Sequence, residues 1–122
     1  MDRLNKSAGK FGISLDSIVK QTTEIDKVQR CHLKTGDYVY VKTLNSVYVI
    51  RKREDNLYEV SGGWFDRRGL SPKVIAIRGC TWGGSIINLG IVAARGLLIE
   101  FGNNLLTSPI RKIIVIKSRQ LN

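Results

Sequence analysis

The sequence predicts a mainly β protein, a small antiparallel β-barrel or β-sandwich of about eight short strands with one N-terminal helix. Three observations lead to this prediction. From Tyr38 onward, apolar residues recur at every second position over short stretches. Glycine, asparagine and proline separate these stretches at intervals typical of turns. The 122 residues, 43% of them hydrophobic, suffice for one domain with one core.

The N-terminal part of the chain predicts a tail followed by a helix. Residues 1–13 are mostly polar, with two glycines, and are predicted to form a flexible tail. Residues 14–30 carry apolar side chains at helical spacing. Ser14 suits the N-cap, and Asp16 lies where the helix dipole favours an acid. Residues 14–122 are therefore predicted to form a single β-rich domain, with this helix packed on its sheet.

The predicted strands follow in order along the rest of the chain. Residues 38–42, 46–52 and 57–61 form a meander, because their connections are long enough only for antiparallel neighbours. Residues 64–72 are predicted to form a loop after a Gly-Gly pair. The remaining strands are predicted at residues 73–78, 86–93, 97–101, 105–107 and 110–117.

The charge balance favours an anionic partner. The chain has 20 Lys and Arg residues against 10 Asp and Glu. Residues 38–122 hold 13 of these basic residues and only 5 of the acidic ones, so the excess belongs to the β-body. Such a balance attracts nucleic acid, acidic membranes or acidic proteins. We predict a non-enzymatic binding module, with nucleic acid as the first candidate partner among polyanions.

Two basic clusters carry this prediction because aromatic residues lie beside them. Small β-barrels bind single-stranded nucleic acid by combining cations for the phosphates with aromatic rings for the bases. The alternative is that the aromatic rings belong to the core and the arginines are merely solvated. The predicted phosphate contacts are Arg51, Lys52, Arg53, Arg67 and Arg68, and the predicted stacking platforms are Trp64 and Phe65.

The last predicted strand supports an alternative function. Residues 113–116 are apolar on both faces of the strand. We therefore predict that Ile114 or Ile116 lies either under the helix or in a homodimer interface. In the second case the protein is an interaction or assembly domain.

Catalysis and metal binding find little support in the sequence, which predicts no catalytic residues, no metal site and no cofactor. The single histidine, His32, follows Cys31, and no pair of ligands has zinc spacing. An enzyme of unknown type remains a third possibility through the glycine-rich residues 79–85. The simpler interpretation of that segment is a tight β-turn packed under Trp82.

The sequence also bears on location and redox state. The N-terminal residues lack the apolar run of a signal peptide, and no apolar stretch is long enough to span a membrane. We therefore expect a cytoplasmic protein without a membrane span. Cys31 and Cys80 are either paired or free, and a core of this size does not need a disulfide, which favours free thiols.

Several short segments together resemble a pattern found in uncharacterised small bacterial β-domain proteins. The pattern reads TxNSxY, GG, GGS, EF and TSPI, and it spans most of residues 43–114 here. The resemblance implies a compact β-domain and brings no activity or cofactor with it. It also implies that Asn45, Ser46, Thr107 and Ser108 cap turns through hydrogen bonds to the backbone.

Overall fold

The computed structural model describes residues 22–83 and 86–118, and these are mostly β-strand. One short helix, α1, spans Gly63–Arg67, and a 3₁₀ turn spans Arg30–His32. The predicted mainly antiparallel β fold is confirmed, with ten strands within the described residues. The strands are β1 (Thr22–Glu24), β2 (Lys27–Gln29), β3 (Tyr38–Thr43), β4 (Val47–Lys52), β5 (Leu57–Gly62), β6 (Lys73–Thr81), β7 (Ile87–Asn88), β8 (Ile91–Ala94), β9 (Leu98–Phe101) and β10 (Ile110–Ile116).

The strands form one curled antiparallel sheet and a separate two-stranded sheet. The main sheet has the order β1-β10-β3-β4-β5-β6-β7, and β9 also pairs with β6. Strands β2 and β8 pair with each other. The long strand β6 changes partners, since residues 73–76 pair with β5 and residues 77–81 pair with β9 and β7. This change of partner lets the sheet curl around its core. Within the described residues, no helix is long and apolar enough to cross a membrane.

Period-two alternation builds the core on the inner side of the sheet. Val39 and Val41 of β3 are completely buried, and Ile50 and Tyr48 of β4 are buried beside them. The Phe65 ring of α1 packs edge to face against Phe101, with 5.1 Å between the ring centres. The alternate residues of the same strands consequently face outward.

The helix predicted for residues 14–30 is wrong over its described part. Residues 22–24 form β1 and pair with β10, and residues 27–29 form β2 and pair with β8. The β-branched pair Thr22-Thr23 prefers an extended backbone, and β10 offers an open edge for it. Pairing with a neighbouring strand therefore outweighs the helical spacing of the apolar residues. Residues 14–21, and the tail predicted for residues 1–13, lie outside the described residues.

The turn from β5 into α1 requires glycine. Gly62 has φ +98° and ψ 180°, a conformation that residues with a Cβ avoid. A Cβ placed on Gly62 would lie only 2.1 Å from the Val47 carbonyl oxygen. The Gly62 N–H donates to Asp66 at 3.0 Å and to Ser71 at 3.2 Å, which holds the turn against α1. The segment predicted to be a loop thus contains a short helix.

A buried carboxylate ties the chain after β10 to the loop before β3. Asp37 is 1% exposed and accepts the backbone N–H groups of Lys34 at 2.9 Å and Ser118 at 2.8 Å. The Lys117 ammonium donates to the same carboxylate at 3.0 Å. Burial alone would raise the pKa of Asp37, but these hydrogen bonds and the Lys117 charge outweigh it and lower the pKa. The carboxylate therefore stays ionised in the folded protein.

Hydroxyl groups organise the turns at one end of the sheet. The Ser108 hydroxyl donates to Thr43 Oγ1 at 2.7 Å and accepts the backbone N–H of Asn45 at 3.0 Å. Thr107 Oγ1 accepts a backbone N–H of β9 at 3.0 Å. The turn-capping role predicted for Thr107 and Ser108 is therefore observed. Asn45 and Ser46 take part in this network mainly through their backbone groups.

The two cysteines are both free thiols. Cys80 lies in the core, where burial raises the pKa of its thiol to about 12. It is therefore a neutral, unreactive thiol at physiological pH. Cys31 is exposed.

Candidate nucleic-acid interface

The basic cluster at residues 51–53 divides between the two sides of β4, because successive side chains of a strand point in opposite directions. Arg51 is exposed, and its guanidinium carbon lies 5.8 Å from the centre of the Tyr38 ring. Lys52 points inward, is 9% exposed and lies 5.4 Å from the centre of the Tyr58 ring. This burial corrects the prediction that Lys52 contacts phosphate together with Arg51.

Arg53, the third member of this cluster, is exposed but already has a partner. It forms an ion pair with Glu59 of the adjacent strand at 3.4 Å. An exposed pair of this kind is weak, so a phosphate can compete with Glu59 for the guanidinium.

The second cluster belongs to α1 and the residue after it. Phe65 is completely buried in the core, which corrects the prediction that it stacks with a base. Trp64 is partly buried, and the guanidinium carbon of Arg68 lies 5.4 Å from the centre of its ring. Arg67 is exposed and donates to the Ser46 hydroxyl at 3.3 Å. We call Trp64, Arg67 and Arg68 the end cluster.

The end cluster and Arg51 lie at opposite ends of β4. Arg67 contacts Ser46, which immediately precedes β4, whereas Arg51 is near the far end of that strand. Arg51 lies five positions after Ser46 along an extended strand, which corresponds to a distance of about 17 Å. The two predicted clusters therefore do not merge into one compact patch, and the surface between them becomes the relevant feature.

That intervening surface combines aromatic, apolar and basic side chains. It is the side of the main sheet that faces away from the core, and we call it the outer sheet face. The strand register aligns Tyr40 with Val49 and Ile114, and it aligns Tyr38 with Arg51 and Ile116. The outer sheet face includes Tyr38, Tyr40, Lys42, Val47, Val49, Arg51, Lys112, Ile114 and Ile116, and the register adds Glu24 of β1 and Glu59 of β5 at its two sides.

The two carboxylates of the outer sheet face each lie beside a basic side chain other than Lys42 and Arg51. Glu24 lies 4.0 Å from Lys112, and Glu59 pairs with Arg53. Neither Lys42 nor Arg51 takes part in any ion pair between the described residues. Both cations are therefore available to an anionic partner.

Tyr38, Tyr40 and Lys42 were not among the predicted site residues, although the sequence held a signal for them. Val39 and Val41 are the buried members of β3, so the alternate residues must share the outer face. The alternation of β3 predicts that Tyr38, Tyr40 and Lys42 share one face. It does not predict that β4 and β10 are the strands beside them.

Ile114 and Ile116 are partly buried and lie on the outer sheet face. Their neighbours on one side are the residues of β1, which extends the sheet beside β10. The described part of the predicted helix thus lies next to these isoleucines as a strand and does not cover them. The homodimer interface predicted for them stays a prediction.

The glycine-rich segment provides no cluster of reactive groups among the described residues. Trp82 is 71% exposed, so the prediction that a turn packs under it is wrong. Thr81 Oγ1 shapes the turn by donating to the Ile86 carbonyl at 2.7 Å. Glu100 is paired with Arg78 at 2.7 Å. Residues 22–83 and 86–118 contain no group of three or more His, Cys, Asp or Glu side chains arranged as metal ligands.

Comparison with known proteins does not identify a relative. No protein-family model matches the chain, and no curated protein or solved structure matches it significantly.

Proposed function

We propose that the protein binds single-stranded nucleic acid along the outer sheet face. In this proposal, Tyr38 and Tyr40 stack with bases, and Lys42, Arg51 and Lys112 neutralise phosphates. The end cluster extends the track, with Trp64 as a further stacking surface and Arg67 and Arg68 as phosphate contacts. The protein is then a binding module without a catalytic role.

One observation carries the proposal. Aromatic rings lie beside cations on one face of the sheet, and two of these cations, Lys42 and Arg51, form no ion pair with any other described residue. Tyr38 lies beside Arg51 at 5.8 Å, and Tyr40 lies between Tyr38 and Lys42 on β3. Proteins that bind single strands combine stacking surfaces with a basic groove in this way. The net charge of +10 adds a long-range attraction for a polyanion.

The geometry favours a single strand over a duplex. Reading the major groove with a helix requires a helix that is long enough and exposed enough to enter it. The helix within the described residues has only five residues and packs on the core through Phe65. A sheet face that carries aromatic rings suits unstacked bases instead.

We expect the two tyrosines to contribute stacking energy without affecting salt dependence. Tyr38→Leu and Tyr40→Leu should each weaken binding of a labelled oligonucleotide by roughly 5- to 150-fold, the equivalent of about 1–3 kcal/mol per stacked base. Fluorescence anisotropy at two salt concentrations measures both quantities. The matched control is Trp82→Leu, which removes an exposed aromatic ring from the β6–β7 hairpin and should leave binding unchanged. Equal losses in all three variants would contradict the assignment.

We expect the cations to set the salt dependence. For a single strand, the logarithm of affinity falls with the logarithm of salt concentration by about 0.7 per phosphate contact. Arg51→Met should therefore reduce the slope by about 0.7, and the double variant Arg67→Ala, Arg68→Ala by about 1.4. Arg95→Met is the control, because it removes an exposed charge from the β8–β9 turn. A slope that falls equally in the Arg95 variant indicates only generic attraction.

A second candidate function is supported by the apolar residues of the same surface. Val47 and Val49 of β4 are 37% and 39% exposed, and they lie on the same face as Ile114 and Ile116 of β10, with β3 between them. A second copy of the chain packing face to face would bury these four residues. Sedimentation decides between the candidates. A dimer that Ile114→Asp converts to a folded monomer supports assembly, whereas a monomer that binds the oligonucleotide supports the first proposal.

A further inference from the structure

A second surface feature lies on the inner side of β4, away from Arg51. It is a cleft of about 570 Å³ whose walls include Gln29, Arg30, Cys31, Leu33, Lys52 and Asn56. This volume falls within the usual range for small-molecule sites. Two of the wall residues, Arg30 and Lys52, are cations.

Lys52 is a nearly buried cation with few partners. It is 9% exposed, and its ammonium donates to the Arg53 carbonyl and lies 5.4 Å from the centre of the Tyr58 ring. It takes part in no ion pair between the described residues. An ammonium has three N–H donors, so two remain without a described acceptor. Burial of a charge in this state is unfavourable unless an anion compensates it.

Arg30 places a second cation on the same cleft. Its Nε and Nη2 donate to the carbonyls of Leu89, Ile77 and Arg78 at 2.8–3.2 Å. Its Nη1 donates to the Tyr58 hydroxyl at 3.2 Å. These bonds hold the guanidinium rigidly and leave one of its five N–H groups unused.

No described side chain of the cleft wall supplies the missing negative charge. The Tyr58 phenol is not a counter-ion, because burial raises its pKa despite the opposing effect of Arg30. Asp37 is near Lys52, because its backbone carbonyl accepts the Lys52 N–H at 2.8 Å. Its carboxylate, however, already accepts hydrogen bonds from Lys117 and from two backbone N–H groups. The cleft therefore holds two positive charges and, among its described wall residues, no carboxylate.

We propose that this cleft binds a small phosphorylated molecule whose phosphoryl group is held by Lys52, with Arg30 adding positive charge. A phosphoryl group carries close to two negative charges and three acceptor oxygens, which matches the unused N–H groups. The cleft is larger than a phosphate ion, and the amides of Gln29 and Asn56 offer hydrogen bonds to the rest of the molecule. The site is independent of the outer sheet face, because Lys52 and Arg51 point to opposite sides of β4.

Thermal unfolding of the whole chain tests the site, with inorganic phosphate and glycerol phosphate as separate probes. At about 100 times its dissociation constant, a ligand should raise Tm by roughly 10 °C. Glycerol phosphate should act at lower concentration than phosphate if the organic part contributes. Lys52→Met should abolish the increase, whereas Arg95→Met, which removes an exposed charge that does not line the cleft, should retain it. Both variants experience the same general effect of added salt on Tm. The test therefore compares the size of the Tm increase in one variant with that in the other.

Chemical labelling of Cys31 gives a second readout that needs no variant. Cys31 lines the cleft and is exposed, while Cys80 is buried with a pKa of about 12, so a thiol reagent reports on Cys31 alone. Glycerol phosphate should slow this labelling, and sodium chloride at the same ionic strength should not. Unchanged labelling and Tm in the wild-type chain would overturn the proposal. An equal Tm increase in wild type and Lys52→Met would overturn it as well.

Discussion

Gly62→Ala should destabilise the protein by about 3 kcal/mol or more, a large part of the roughly 5–15 kcal/mol typical of a folded domain. The added methyl group would lie 2.1 Å from the Val47 carbonyl oxygen, so β4 and β5 would have to separate. The backbone at φ +98° and ψ 180° is itself nearly inaccessible to alanine. Chemical denaturation followed by circular dichroism measures the loss.

Gly69→Ala is the matched control for this substitution. Gly69 also has a positive φ, of +68°, but a Cβ placed on it meets no atom within 4 Å. It should therefore cost only the backbone strain, about 1–2 kcal/mol. The difference between the two variants measures the close approach of β4 and β5 together with the greater backbone strain at Gly62. Equal losses would mean that backbone conformation alone explains the glycine at position 62.

Asp37→Asn should destabilise the protein by about 2–4 kcal/mol at neutral pH. The substitution replaces an acceptor of three hydrogen bonds with an amide that cannot satisfy all of them, and it removes the charge facing Lys117. The loop before β3 and the chain after β10 should loosen together. The midpoint of urea unfolding, compared with that of the wild type, measures the effect.

The loss caused by Asp37→Asn should depend on pH in a defined direction. The pKa of Asp37 is lower in the folded protein than its ordinary value, so its contribution to stability is complete above the unfolded-state pKa, near 3.9. That contribution disappears as the pH falls through the folded-state pKa. The stabilities of wild type and variant should therefore differ by a constant amount above about pH 5 and converge in stronger acid.

Asp26→Asn provides the control for burial. Asp26 pairs with Arg95 at 3.0 Å, the same distance as the pair between Asp37 and Lys117, but its side chain is 84% exposed. An exposed pair contributes at most about 1 kcal/mol. Comparable losses at positions 26 and 37 would show that burial and the backbone hydrogen bonds of Asp37 have no special importance.

The predicted binding residues divide according to the side of the strand or helix that carries them. The sequence places Arg51, Lys52 and Arg53 together, yet the alternation of β4 sends Lys52 inward. Trp64 and Phe65 are also adjacent in sequence, yet α1 buries Phe65 and leaves Trp64 partly exposed. Neighbours in sequence therefore reach different environments. Knowing the side of each residue requires knowing which element it belongs to.

Local patterns determined the strands of the meander. Alternation in residues 38–42, 46–52 and 57–61, and the Gly-Gly pair after the third segment, are short-range features, and each strand needs only its neighbours along the chain to pair. Composition alone gave the excess of positive charge, and the expected size of the core favoured the free thiols that the structure shows. The assignment of residues 22–30 failed because their apolar spacing fits a helix, and only the open partners β10 and β8 make them strands.

Tertiary structure alone decided which aromatic and basic side chains lie next to one another. The outer sheet face joins β3 and β4 to β10, and β10 begins more than sixty residues after β3 in the sequence. Arg30 reaches the same cleft as Lys52 because it follows β2 and bonds to the Tyr58 hydroxyl of β5 and the Ile77 carbonyl of β6. Contacts between distant segments depend on strand order and on the curl of the sheet. Those properties arise from burying the whole core at once, and no short stretch of sequence encodes them.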